Sequence, residues 1–157
     1  MPGIQRILIA ADRTDQAEAP LRFALGLARQ TGAELIVFHS IAGEELEDRA
    51  QLPPPSNYVD VMEDETRRNL TALVNSIAGD GTVPGVRAIA RAGDPAEEIN
   101  KLAAAENCDV VVIGLRRRSR VGKFLLGSRL QEVLMATDRP VIAVPLEQAE
   151  TAGEPGG

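Results

Sequence analysis

Two places in the chain combine residue types that could do chemistry. The first is GLRRRSRVGKFLLGS, Gly114 to Ser128, where Arg116, Arg117, Arg118, Arg120 and Lys123 stand between glycines with no acid among them. It follows the apolar run DVVVI and leads into a helical pattern. A glycine at the end of a strand lets the backbone turn sharply or lets a ligand come close. At the far end, Gly127-Ser128 opens a helix whose free N–H groups and dipole favour an anion. Ser128 can equally be a simple helix cap, and the two roles are compatible. Strand, glycine, basic loop, Gly-Ser, helix is a phosphate-binding arrangement. It is not a Walker loop, because GxxxxGK[ST] is absent. The second place is AADRTD, where Asp12 follows another apolar run. A carboxylate there accepts hydrogen bonds from a ribose hydroxyl or an adenine amine. It can also cap the next helix, but Thr14 and Asp15 are better placed for that, which leaves Asp12 for a ligand.

These residues need elements to hold them, and the pattern supplies an alternation. Five apolar, largely β-branched runs read as strands buried on both faces: Arg6 to Ala11, Glu34 to Ser40, Val86 to Arg91, Asp109 to Gly114 and Pro140 to Pro145. Four helical patterns lie between them. Leu21, Ala24, Leu25 and Ala28 share one helical face, which Thr31-Gly32 ends. Met62, Thr66, Leu70, Leu73, Val74 and Ile77 line the second. GDPAEEI opens the third, with Asp94 as N-cap, Pro95 at the first helical position and Glu97 at the capping-box position. Ile99, Leu102 and Ala103 are its stripe. The fourth is SRLQEVLMAT, with Ser128 and Gln131 as a second capping box and Leu130, Val133 and Leu134 as the stripe.

Strands alternating with helices predict βαβ units and one α/β domain with a five-stranded parallel sheet, order 3-2-1-4-5 and helices on both faces. That order puts the ends of strands 1 and 4, and so both chemical segments, at the reversal of winding where ligands bind in open sheets. The segment IAGEELEDRAQLPPPSNYVDV is expected to be a long loop with some helix at its end, and its tip to lie over the crevice. Residues 1–147 form the expected domain, and 148–157 a disordered tail.

Composition narrows the function. The chain has 157 residues, a formal net charge of -6, 44% hydrophobic residues and 3% aromatics, so the core is aliphatic and a general nucleic-acid binder is excluded. Against that acidic background the basic loop stands out. Apolar runs are too short for a membrane span. Met1 to Arg6 followed only by ILIAA does not read as a signal peptide, so a cytoplasmic location is expected. Cys108 stands alone and reads as a small buried residue. His39 reads as a packed strand-end residue, and GEELEDRA as a solvated acidic face. Those acids could take a divalent cation such as Mg beside a nucleotide, but no ligand spacing demands it. A receiver domain would need an acceptor Asp after strand 3 and a Lys after strand 5. A dehydrogenase would need GxGxxG after strand 1. None is present.

Over nearly its whole length the chain resembles the single-domain universal stress proteins. The resemblance runs from ILIAADRTDQAEAPLRFALGLARQTGAELIVFHS through GDPAEEI and CDVVVIG to LLGSRLQEVLMATDRPVIAVP. It implies the fold above, a dimer, and, in one branch of the family, ATP binding through G-x2-G-x9-G-[ST]. Gly114, Gly127 and Ser128 match that motif, whereas its middle glycine falls on Arg117. By the same resemblance Asp12 contacts adenosine, and Ala10, Ser40 and Ile113 line the base pocket.

An arginine at a position needing positive φ pays a steric penalty of roughly 1 kcal/mol. Its guanidinium is also the side chain best matched to phosphate oxygens. The expectation is therefore an adenine nucleotide (ATP, ADP or AMP) bound by Ala10, Asp12, Ser40, Ile113, Gly114, Arg116, Arg117, Gly127, Ser128 and Arg129. No catalytic residue is expected, and hydrolysis would be at most slow and incidental. The alternative is a nucleotide-independent dimeric interaction module, in which Arg117 marks a loop that has lost its ligand. In the proposed order strand 5 is an edge, and an apolar edge needs cover. A homodimer through Val141, Ile142, Ala143 and Val144 is expected in either case.

Overall fold

A computed structural model describes residues 3–11, 18–49, 55–79, 85–115 and 127–146. In chain order the elements are β1 (Arg6–Ala10), α1 (Glu18–Thr31), β2 (Glu34–Ile41), α2 (Gly43–Arg49), α3 (Tyr58–Ala78), β3 (Val86–Ala92), α4 (Pro95–Ala105), β4 (Val110–Leu115), α5 (Ser128–Ala136) and β5 (Val141–Pro145). The five strands form one parallel sheet in the order β3-β2-β1-β4-β5. The expected α/β architecture and strand order are therefore both present.

The pleat explains why the central strands are mostly apolar, while β3, at the sheet edge, carries exposed Arg87 and Arg91. Successive side chains leave opposite faces of a strand. Ile7 and Ile9 enter one core with Leu21, Ala24, Leu25 and Ala28 of α1 and with Leu70 and Val74 of α3. Leu8 and Ala10 enter the other, with Ile99, Leu102 and Ala103 of α4 and Leu130 and Val133 of α5. Both faces are covered, so neither set of alternating positions can be polar. The helical stripes of α1, α3 and α4 match the faces read from their spacing. Asp94 caps α4 as expected, its Oδ2 accepting from the Glu97 N–H at 3.1 Å.

Three expectations change. The acidic segment after β2 contains a helix, α2, where a loop was expected. In α5, Leu134 is exposed, so the buried stripe is Leu130 and Val133 alone. Ser128 is not the cap of α5. Gly127 holds that position with φ -62° and ψ 148°, and its carbonyl accepts from the Gln131 N–H at 3.1 Å. The helix thus starts one residue earlier than a Ser128 cap requires, and Gln131 falls one residue beyond the capping-box position. The proposed tail, 148–157, lies outside the described residues.

Candidate functional site

The carboxyl ends of β1, β2 and β4 gather the proposed base-pocket residues. Ala10 is the register partner of Phe38 on one side and of Ile113 on the other. All three enter the core beneath α4 and α5. Ser40, two residues beyond Phe38, lies on the same face of β2 by the strand's alternation. Ala10, Phe38, Ser40 and Ile113 are all buried.

Ser40 is already engaged. Its hydroxyl donates to the Gly93 carbonyl at 3.0 Å, and the Gly93 N–H donates to the Ile41 carbonyl at 3.0 Å. Beside them the Glu63 carboxylate accepts from the Ala92 N–H at 2.8 Å. Together these bonds seal the ends of β2 and β3 to the turn before α4. Ser40 therefore offers a ligand its oxygen as an acceptor, since its proton is spent.

The two glycines that bracket the basic loop differ in what demands them. Gly114 lies inside β4 rather than after it, because β4 continues to Leu115. A Cβ there would come within 2.8 Å of Leu146 Cδ2 and 3.4 Å of Pro20 Cγ. The Leu146 N–H donates to the Leu115 carbonyl at 3.0 Å, which holds its backbone beside β4. Packing against Leu146 and Pro20 therefore gives a glycine at 114 a reason that needs no ligand. At Gly127 the backbone angles suit any residue, and no described atom lies within 4 Å of where a Cβ would stand. Gly127 fronts the first turn of α5, where N–H groups without helical partners favour an anion. Ser128 beside it is exposed, and Arg129 is partly buried with its own partner. Asp12, Arg116 and Arg117 lie outside the described residues, as do Phe124, Leu125 and Leu126.

Two residues at this end escaped the sequence reading. Leu146 follows the last strand and carries no motif. Glu45 stood among acids read as a solvated face, yet its carboxylate reaches the Nε2 of buried His39, at 3.2 and 3.3 Å. The other ring nitrogen, Nδ1, is 2.7 Å from the Ala11 carbonyl. His39 is a packed strand-end residue, as expected, but with a partner on each side.

The described groups whose acidity the fold clearly shifts sit elsewhere. Arg87 hydrogen-bonds Glu106 and holds its carboxyl below the usual range. The backbone N–H groups of Gln5 and Arg6 do the same for Asp109. On α3, Arg67 lowers Asp64. Burial pushes the Cys108 thiol up to about 11. Among the described residues there is no group of three or more His, Cys, Asp or Glu able to hold a metal ion. Nor is any described helix long and apolar enough to cross a membrane.

Comparison with known proteins agrees with this geometry. The family model described as "Universal stress protein family" matches residues 3–145. A universal stress protein of Thermus aquaticus is 32% identical over 138 residues, covering 88% of this chain and 96% of that one. The solved structure of MJ0577, a universal stress protein of Methanocaldococcus jannaschii, superposes with a TM-score of 0.71 at 24% identity, covering 93% of this chain and 99% of that one. The universal stress protein of Archaeoglobus fulgidus in complex with dAMP superposes with a TM-score of 0.58 at 24% identity, covering 92% of this chain and 99% of that one.

Proposed function

The chain belongs to the universal stress protein family, and we propose that it binds an adenine nucleotide at the carboxyl ends of β1 and β4. The observation that carries this reading is Gly127. Neither its backbone angles nor its packing asks for a glycine, whereas a phosphate resting on the first turn of α5 does. The dAMP held by the Archaeoglobus relative supports the same class of ligand. In this reading Ala10, Ile113 and Ser40 border the base and Asp12 accepts from the adenosine part. Gly114, Gly127, Ser128, Arg129 and the loop arginines Arg116 and Arg117 face the phosphates. Arg117 supplies by its guanidinium what a glycine would supply by bare backbone. Any Mg would travel with the nucleotide's phosphates rather than in a protein cage. We assign the chain binding rather than catalysis, act in the cytoplasm as its setting, and a homodimer through β5 as its assembly. That strand is a sheet edge on which Val141, Ile142 and Val144 are half-buried and Ala143 is exposed.

Calorimetric titration of the wild type and of Gly127→Trp with ATP and with AMP tests this. The wild type should bind both saturably. The tryptophan should abolish binding while the thermal midpoint stays within a few degrees, since no described atom lies within 4 Å of its Cβ position. Light scattering on the same samples should give a dimer. If the wild type fails to saturate at millimolar ligand, the nucleotide reading is wrong and the ligand-independent interaction module takes its place.

A further inference from the structure

Ala11 is the first residue beyond β1 and the last before Asp12. Its N–H still continues the sheet, donating to the Phe38 carbonyl at 2.7 Å. Its carbonyl is instead taken by a side chain, the Nδ1 of His39 at 2.7 Å. A carbonyl oxygen only accepts, so Nδ1 must carry the hydrogen. Nε2 faces outward from β2, where the Glu45 carboxylate meets it at 3.2 and 3.3 Å, a hydrogen bond when Nε2 carries a hydrogen as well. Glu45 belongs to α2, and α2 is itself held from the other side. The Tyr58 hydroxyl, at the start of α3, donates to the Leu46 carbonyl at 2.8 Å. His39 is 6% exposed, so water does not compete for either ring nitrogen.

We propose that His39 is a positioning residue of the nucleotide site, clamping the Ala11 carbonyl from one ring nitrogen while Glu45 on α2 braces the other. It does not touch the ligand. Its bond fixes the Ala11 peptide, the link in sequence between β1 and Asp12, and α2 holds the ring in the rotamer that makes the bond. This rests on the nucleotide reading above, and it adds α2 to that site as the support of its adenosine end.

Two isosteric substitutions separate the halves of the clamp. Asparagine places its amide nitrogen where Nδ1 stands, so His39→Asn keeps the bond to Ala11 and loses the brace. Glutamine places its amide nitrogen where Nε2 stands, so His39→Gln keeps the brace and loses the bond. Loss of one buried hydrogen bond that orients a ligand contact should weaken binding about tenfold. AMP and ATP titrations should show that loss for His39→Gln, and a smaller loss of about threefold for His39→Asn and for Glu45→Ala, which keep the Ala11 bond and lose the brace. The loss should be the same for AMP and ATP, because the contact is at the end the two ligands share. Glu45 lies near the surface, so Glu45→Ala folds even if a His39 variant does not. The chain contains one histidine, so its nitrogen NMR spectrum reports this ring alone. It should show a protonated Nδ1 in the wild type. An unprotonated Nδ1 overturns the proposal. So does a His39→Gln protein that melts lower but binds as tightly as the wild type, or a loss confined to ATP. If the wild type binds neither ligand, the nucleotide reading falls first and this proposal with it.

Discussion

At the amino ends of the strands, charge closes the sheet. Arg6 Nε donates to Glu34 at 2.9 Å and its Nη1 to the Glu106 carbonyl at 2.5 Å. Arg87 pairs with Glu106. Asp109 accepts from the N–H groups of Gln5 and Arg6 at 2.8 and 3.0 Å, stitching the start of β1 to the start of β4. Toward their carboxyl ends the same strands carry Ala10, Ser40, Ile113 and Gly114, and the cap of α5 is a glycine without close described neighbours. One end joins the central strands by complementary charges. The other leaves small side chains and open backbone donors. Changes at the first should register as stability, and changes at the second as binding.

Gly114 is where that division should break. It sits at the binding end, yet Leu146 and Pro20 pack against it. Gly114→Val should cost about 2 kcal/mol in urea unfolding, the scale of an overpacked core. Adding Leu146→Ala should recover most of it, because the leucine end is what the new side chain meets first. A Gly114→Val protein of unchanged stability would return the whole demand for glycine to the ligand.

Asp109→Ala comes next. It removes the acceptor of two backbone donors, and because the carboxylate is exposed, water offsets part of the loss. About 1 kcal/mol is expected, with AMP affinity unchanged. The sign of its pH dependence follows from the direction of the shift. The folded state holds the Asp109 carboxyl below its ordinary value of 3.8. Its contribution is therefore complete above that value and is lost as pH falls below it. Denaturant midpoints measured down the acid limb should be flatter in Asp109→Ala than in the wild type.

Ser128→Ala should have the smallest effect on folding. Loss of a true N-cap costs about 1 kcal/mol. Ser128 lies inside the helix, so its removal should move stability by less than about 0.5 kcal/mol. If the hydroxyl faces phosphate, affinity for ATP should fall more than that for AMP, and unchanged titrations of both would remove Ser128 from the site.

Much of this was legible in the residues. Alternation of aliphatic runs with helical stripes is a direct imprint of two-sided burial, so the parallel sheet and three of the helix faces followed from it, whereas the strand order was one choice among several the alternation allows. Asp94-Pro95 announced α4 because capping chemistry is local. What could not be read was set by distance along the chain or by competition within one turn. Glu45 differs in no sequence pattern from its acidic neighbours, and only the fold brings it to His39. Ser128 looked like a cap because serine is a good one, but Gly127 was already in extended conformation and took the first helical bond. Leu134 lies next to Val133 in sequence yet points off the buried face of a helix only nine residues long. The reason for Gly114 resides in Leu146, beyond the last strand.

The pairing of β1 with β4 also has a kinetic side. Ile7 to Ala10 meet Val110 to Ile113, partners about a hundred residues later in the chain. Such non-local pairing slows folding, because loop-closure entropy must be overcome before the contacts form. During synthesis at about 5–20 residues per second, one flank of β1 has no partner for roughly five to twenty seconds. Over that interval β2, which follows β1 after a single helix, is the only strand of the finished sheet available to shield the Ile-Leu-Ile run of β1 on its other flank.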